Sequence, residues 1–276
     1  MSKQFSYGNT VAVLSFMDPN LRIQLTLHCA ELRCAEKAVA LKCERVKLED
    51  GTTTVNGTPY KAELNTLLFG NRLRPIEVKC LTTEGSIPSL PEDVKFQVKE
   101  LDLGGNQIDR LEAILAPSTL DVLKIYHVRR GSGEHAHPIV RGARSVYVFQ
   151  EHTDGLLEFL TLAPNKTLAT DLVLPYEEFI PLIVSLKKRE IGATITFETL
   201  DRYDTESVFE EIMEHFVEYR EISEQRIVIS LSQDKDLEIT TGDDEGEYAL
   251  ELCKNRRGRR REYQFLKMEV VPAGRK

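Results

Sequence analysis

The feature that most constrains this chain is a doublet of apolar residues, one position apart, that returns at nearly constant distance. Val78/Cys80, Leu101/Leu103, Leu123/Ile125, Val146/Val148, Leu172/Leu174 and Ile195/Phe197 follow one another at steps of 23, 22, 23, 26 and 23 residues. A period in the low twenties belongs to strand-plus-helix repeats of the leucine-rich type, whose units are too small to bury an apolar side alone and must stack on neighbours. The place three residues before the doublet tends to be apolar or small, as at Val98, Leu120, Ala143, Ala169 and Gly192. Val98-x-x-Leu101-x-Leu103-x-x-Asn106-x-Ile108 follows the full template, with asparagine where the strand turns away. The other repeats keep the strand and lose that asparagine. The expected fold is therefore α/β: an irregular leucine-rich-repeat-like solenoid with a curved, mainly parallel sheet, flanked by an N-terminal helical segment and C-terminal antiparallel strands. The divisions fall at 1–42, 43–222 and 223–276.

Several local signals place the elements. Thr10 to Met17 reads as a short helix, and Asp18-Pro19 supplies an N-cap and a first-turn proline for a second one. Leu21, Ile23, Leu25 and Leu27 alternate as a strand would, but the cap signal and the helix formers from Glu31 to Ala40 favour helix. A strand over Cys43 to Leu48 leads to a hairpin signal at Asn56-Gly57. Helical patterns cover 62–73, 108–115, 155–162 and 176–189, the last with Pro181 as a kink or a true start. Asp204-Thr205 caps an amphipathic helix carrying Val208, Phe209, Ile212, Met213, Phe216 and Val217. After Ser223, alternation in 226–231, 237–240, 248–253 and 263–270 predicts consecutive antiparallel strands that close the open end of the parallel sheet.

Charge and cysteine usage narrow the partners. With 36 Lys+Arg against 44 Asp+Glu the net charge is −8, which opposes general attraction to nucleic acid or anionic membranes. The five cysteines show no C-x-x-C spacing, so neither a disulfide framework nor a zinc site is suggested. The first ten residues hold no apolar signal core and no run approaches a membrane span, which points to the cytoplasm or nucleus. No cofactor is expected, because phosphate loops, dinucleotide fingerprints, nucleophile elbows and H-E-x-x-H motifs are all missing from the sequence. His135 and His137 sit two apart in a glycine-rich loop beside Glu134, the one place where an orphan enzyme site would be sought. Arg256, Arg257, Arg259, Arg260 and Arg261 form the sharpest charge cluster, an alternative nucleic-acid grip or a solvated hairpin tip.

Phe5-Ser6-Tyr7, the run from Val13 to Ile23, and Leu32-Arg33-Cys34-Ala35-Glu36-Lys37-Ala38-Val39-Ala40-Leu41 appear in an order, with Val98 to Leu103 and Lys187 to Ala193, that resembles a nematode-expanded family of F-box-related proteins of unassigned function. The resemblance implies that the N-terminal helices are F-box-like and dock a Skp1-type adaptor of a cullin ubiquitin ligase. Leu14, Phe16, Asp18, Pro19, Leu21 and Arg22 would carry that contact. From alternation alone, Lys99, Asp102, Lys124, Tyr126, Tyr147, Asp171 and Thr196 point away from the buried doublets and are available to a protein ligand. The expected role is non-enzymatic protein recognition.

Overall fold

A computed structural model describes residues 6–104, 108–149, 153–172, 174–199, 202–216, 219–223, 225–243 and 264–274. The chain is mixed α/β and divides into two units, Met1–Lys124 and Ile125–Lys276.

In the first unit, α1 (Tyr7–Ser15) starts where the Ser6 hydroxyl accepts the Asn9 N–H at 3.3 Å, so the helix begins before Thr10 and ends before Phe16. α2 (Pro19–His28) starts at Asp18, whose Oδ1 accepts from the N–H groups of Asn20 (2.8 Å) and Leu21 (3.3 Å). The cap, with proline where its missing N–H costs nothing, outweighs the period-two alternation of the leucines. A 3-10 turn and α3 (Arg33–Ala38) follow, and Leu14, Ala35 and Val39 pack with Val11 and Met17. β1 (Lys42–Glu49), β2 (Thr52–Val55) and β3 (Thr58–Lys61) form an antiparallel run. Asn56 and Gly57 join β2 to β3 with φ of 46° and 84°, both left-handed, as a two-residue type I′ hairpin requires. β3, the edge strand, is short, with Pro59 and Lys61 exposed.

The helix expected over 62–73 reduces to a 3-10 turn and α4 (Asn65–Phe69), stopped at Gly70. That expected over 108–115 reduces to α5 (Asp109–Glu112), because Leu115 instead bridges to Phe96. β4 (Ile76–Thr83), β5 (Phe96–Asp102) and β6 (Leu120–Tyr126), whose last two residues fall past Lys124, complete the unit. Its strand order is β3-β2-β1-β4-β5-β6, with β1, β4, β5 and β6 parallel.

The register corrects two of the doublets. Leu81, not Val78, lies between Val46 and Leu101, and Leu101 faces Leu123. All four are fully buried. The buried order in β4 is Val78-x-x-Leu81-x-Thr83, and Thr83 fills an apolar place because its hydroxyl donates to the Leu103 carbonyl at 3.1 Å. A search for apolar pairs passes over such a threonine.

The second unit contains α6 (Pro138–Gly142), β7 (Ala143–Phe149), α7 (Leu156–Leu162), β8 (Thr167–Thr170), α8 (Tyr176–Leu186), β9 (Thr194–Thr199) and α9 (Arg202–His215). β10 (Tyr219–Ser223), β11 (Arg226–Ser230), β12 (Lys235–Asp243) and β13 (Gln264–Pro272) follow. β7, β8 and β9 are parallel, and the order continues antiparallel through β13, β12, β11 and β10. β10 has no counterpart in the sequence reading, and the strand expected over 248–253 lies outside the described residues. Asp204 lies inside α9 and does not begin it. Pro181 is exposed within α8 without ending it, while Phe179, Leu182, Ile183 and Leu186 are fully buried on the other side.

Here the register runs Val146, Leu168, Ile195 and Val148, Thr170, Phe197, so Leu168/Thr170 replaces the expected Leu172/Leu174. Asn165, not Ala169, holds the place three residues earlier. It is buried and its Nδ2 donates to the carbonyls of Val140 (2.6 Å) and Ala143 (2.7 Å). Rung-to-rung steps are thus 20 and 22 residues in the first unit and 22 and 27 in the second.

Neither break expected from the sequence, at 42 or 222, separates the packing. Glu36 of α3 accepts from Arg22 of α2 (3.0 Å) and from Arg72 after α4 (2.7 Å), with all three side chains at most 5% exposed. At the other end, β13 pairs directly with β9.

Burial pushes the Cys43 thiol up from 9.0 to about 12. A raised value means that the fold favours the neutral thiol, so this contribution is intact below the ordinary thiol range and is lost as pH climbs toward the folded value. Exposed Cys34 should accordingly alkylate at once in native protein at pH 8, and Cys43 only on unfolding. Mass spectrometry of time-resolved labelling checks this, and early Cys43 modification would contradict the packing of β1.

Candidate functional site

At the end of β5, the buried Leu101, and Leu103 just beyond the strand, alternate with Glu100 and Asp102, which point to the opposite face. Parallel register extends that face across the first unit. Lys47, Thr82, Asp102 and Lys124 are successive partners in one row, and Arg45, Cys80, Glu100 and Val122 in the next. Neighbours in a row are about 4.8 Å apart, so four side chains span a short strip.

Lys47 is held at one margin by Glu49 (2.8 Å) and Glu84 (2.9 Å), and those bonds raise its ammonium above the ordinary lysine range. Asp102 is half-buried. Desolvation raises its carboxyl above the usual range, opposed by the Gly104 N–H at 3.3 Å and the nearby Lys124 charge. Burial likewise raises the Cys80 thiol, whose sulfur lies 3.9 Å from the Thr82 hydroxyl. The row offers cation, hydroxyl, carboxyl and cation in sequence. That array suits recognition of polar side chains, and the Cys80 thiol of the adjacent row is driven toward the unreactive form. Lys99 is exposed beside Glu100.

In the second unit, Tyr126 stacks on Phe149 with ring centroids 5.1 Å apart. Tyr147 is 8% exposed, so the face expected to be open is covered at that position. Asp171 and Thr196 are half-buried.

The N-terminal residues implied by resemblance divide in two. Leu14 and Arg22 are 2% exposed and hold the helices together, while Asp18 and Pro19 begin α2. Phe16 is 92% exposed and Leu21 is also on the surface. Tyr7 and Val13, which carry part of the resemblance but are not among the expected contact residues, are exposed as well. An aromatic at a helix margin carries no sign in the sequence of whether it faces in or out.

His137 uses Nδ1 to accept the Ile139 N–H at 3.2 Å, capping α6, so it serves a helix start. Among the described residues no group of three His, Cys, Asp or Glu is placed to hold a metal ion. Arg256, Arg257, Arg259, Arg260 and Arg261 lie outside the described residues. No helix among those described is long and apolar enough to cross a membrane.

Parallel strands with intervening helices define a mixed α/β protein, and the sheet of its first unit carries a polar row in register. The family described as "Domain of unknown function (DUF3557)" matches residues 61–201, just over half of the chain, and the chain belongs to that family. No curated protein and no solved structure matches it.

Proposed function

We propose that the chain is a non-enzymatic protein-recognition module acting as a substrate receptor of a Skp1-cullin-type ubiquitin ligase. The observation that carries the reading is the row Lys47, Thr82, Asp102 and Lys124, which presents alternating chemistry on a rigid parallel sheet. In this reading the strand-and-helix units form an irregular leucine-rich-repeat-like solenoid with a curved sheet, and the target protein lies on its open face. The F-box-like helices meet the adaptor through exposed Phe16 and Leu21, with Tyr7 and Val13 alongside. Membership in the nematode-expanded F-box-related family and work in the cytoplasm or nucleus belong to the same proposal.

Gel filtration of the full chain with a Skp1-type adaptor tests the ligase half. The wild type should co-elute, and Phe16→Asp should weaken the complex about tenfold or more, as loss of a central aromatic anchor does. Its melting temperature should stay unchanged, since the ring is almost wholly exposed. Failure of the wild type to co-elute removes the ligase. Lysine cross-linking to a captured target tests the other half: links should fall on Lys47, Lys99 and Lys124, and links confined elsewhere remove the sheet face.

A further inference from the structure

Among the described residues of the second unit, three large apolar side chains are exposed, at the end of α7, on α8 and just after α8. Leu162 ends α7 (52% exposed), Val184 lies on α8 (51%) and Ile191 follows α8 (45%). Arg189 fixes their neighbourhood. Its guanidinium donates to the carbonyls of Leu160 and Ala163 (2.8 Å) and Asn165 (2.9 Å), bringing the end of α8 against the end of α7. The three carbonyls and the negative end of α7 compensate its charge, so Arg189 is structural.

Three exposed lysines belong to the same segments. Lys187 and Lys188 are exposed at the end of α8, and the exposed Lys166 side chain reaches over Gly192, where a Cβ would stand 3.2 Å from its Cε. Glu190 is the exposed carboxylate within the same turn. A positive rim around exposed apolar groups is unlike the chain as a whole, which carries −8.

We infer that this patch docks an acidic amphipathic segment of a partner protein. Apolar side chains from one side of that segment cover Leu162, Val184 and Ile191, and its carboxylates meet Lys166, Lys187 and Lys188. Complementary charge fixes orientation and raises the encounter rate, while the apolar contacts supply the hold. An anionic bilayer would also meet lysines, but the net negative charge of the chain opposes approach to an extended negative surface.

The inference stands apart from the adaptor proposal and is tested on the full chain. The probe is a fluorescent helical peptide of about 18 residues with leucine on one side and glutamate on the other, the length of a typical grooved helix ligand. Anisotropy should report saturable binding that weakens about tenfold or more in Leu162→Ser/Val184→Ser and in Lys187→Glu/Lys188→Glu, and falls with salt. Unchanged melting temperatures in both variants keep the readout specific to the surface. Equal binding of a lysine-for-glutamate peptide, undiminished binding by the variants, or retention on phosphatidylserine vesicles without peptide binding would each overturn the inference.

Discussion

Replacing Glu36 by glutamine should destabilise the first unit by about 3–5 kcal/mol, the range seen when one partner of a buried ion pair is removed. One carboxylate oxygen accepts from two guanidinium groups, Arg22 at 3.0 Å and Arg72 at 2.7 Å, in a place that water barely reaches. The arginines also donate to carbonyls: Arg22 to Ala40 (2.9 Å) and Val39 (3.3 Å), Arg72 to Leu68 (3.1 Å). Those dipoles orient the two cations, and Glu36 brings the opposing charge that both contact. Desolvation already lowers the Arg22 pKa, with Arg72 adding repulsion, against the pull of Glu36. Removing the carboxylate charge leaves both guanidiniums uncompensated, and the three chain segments they join separate more easily. Urea denaturation measures the loss. Lys42→Ala, which breaks an exposed pair with Glu77, serves as the control and should cost no more than about 1 kcal/mol. Equal effects of the two substitutions would show that the triad does not hold α2 and α3 to the segment after α4.

A second large effect distinguishes the true rung of β8 from the one suggested by the doublets. Leu168→Ala should cost about 2–5 kcal/mol, because a fully buried leucine is replaced by a cavity that close-packed neighbours fill only in part. Its register partners, Val146 and Ile195, are themselves fully buried and fixed in their strands. Leu172→Ala should cost about 1 kcal/mol or less, since that side chain is only partly buried beyond the end of the strand. Thermal or urea unfolding of both variants decides the matter, and a Leu172 effect equal to that of Leu168 would return the rung to its expected place.

The contrast locates what could be read from sequence. Helix starts and turns were legible where one residue type performs one backbone task, as at Asp18-Pro19 and Asn56-Gly57. Parallel strands were legible where the rung was apolar throughout, as at Leu101/Leu103, Leu123/Ile125 and Ile195/Phe197. They slipped where a polar residue took an interior place by donating to backbone carbonyls, as the Thr83 hydroxyl and the Asn165 Nδ2 do. The polar row was legible in part: Asp102 and Lys124 follow from alternation about correct doublets. Lys47 and Thr82 join them only through register with β1 and β4. The Arg22, Glu36 and Arg72 cluster was not legible, because residues 14 and 36 positions apart meet through tertiary packing and no local pattern. Nor was the covering of Tyr147, since alternation assigns a direction without saying what lies above it.

Pro59 on the outer strand of the first unit has a bearing on solubility. It lacks the N–H that an incoming strand would need, and the charged Lys61 would have to be desolvated for a second chain to pair there. This margin therefore resists self-templated growth, so crowding of many copies should not propagate ladders from it.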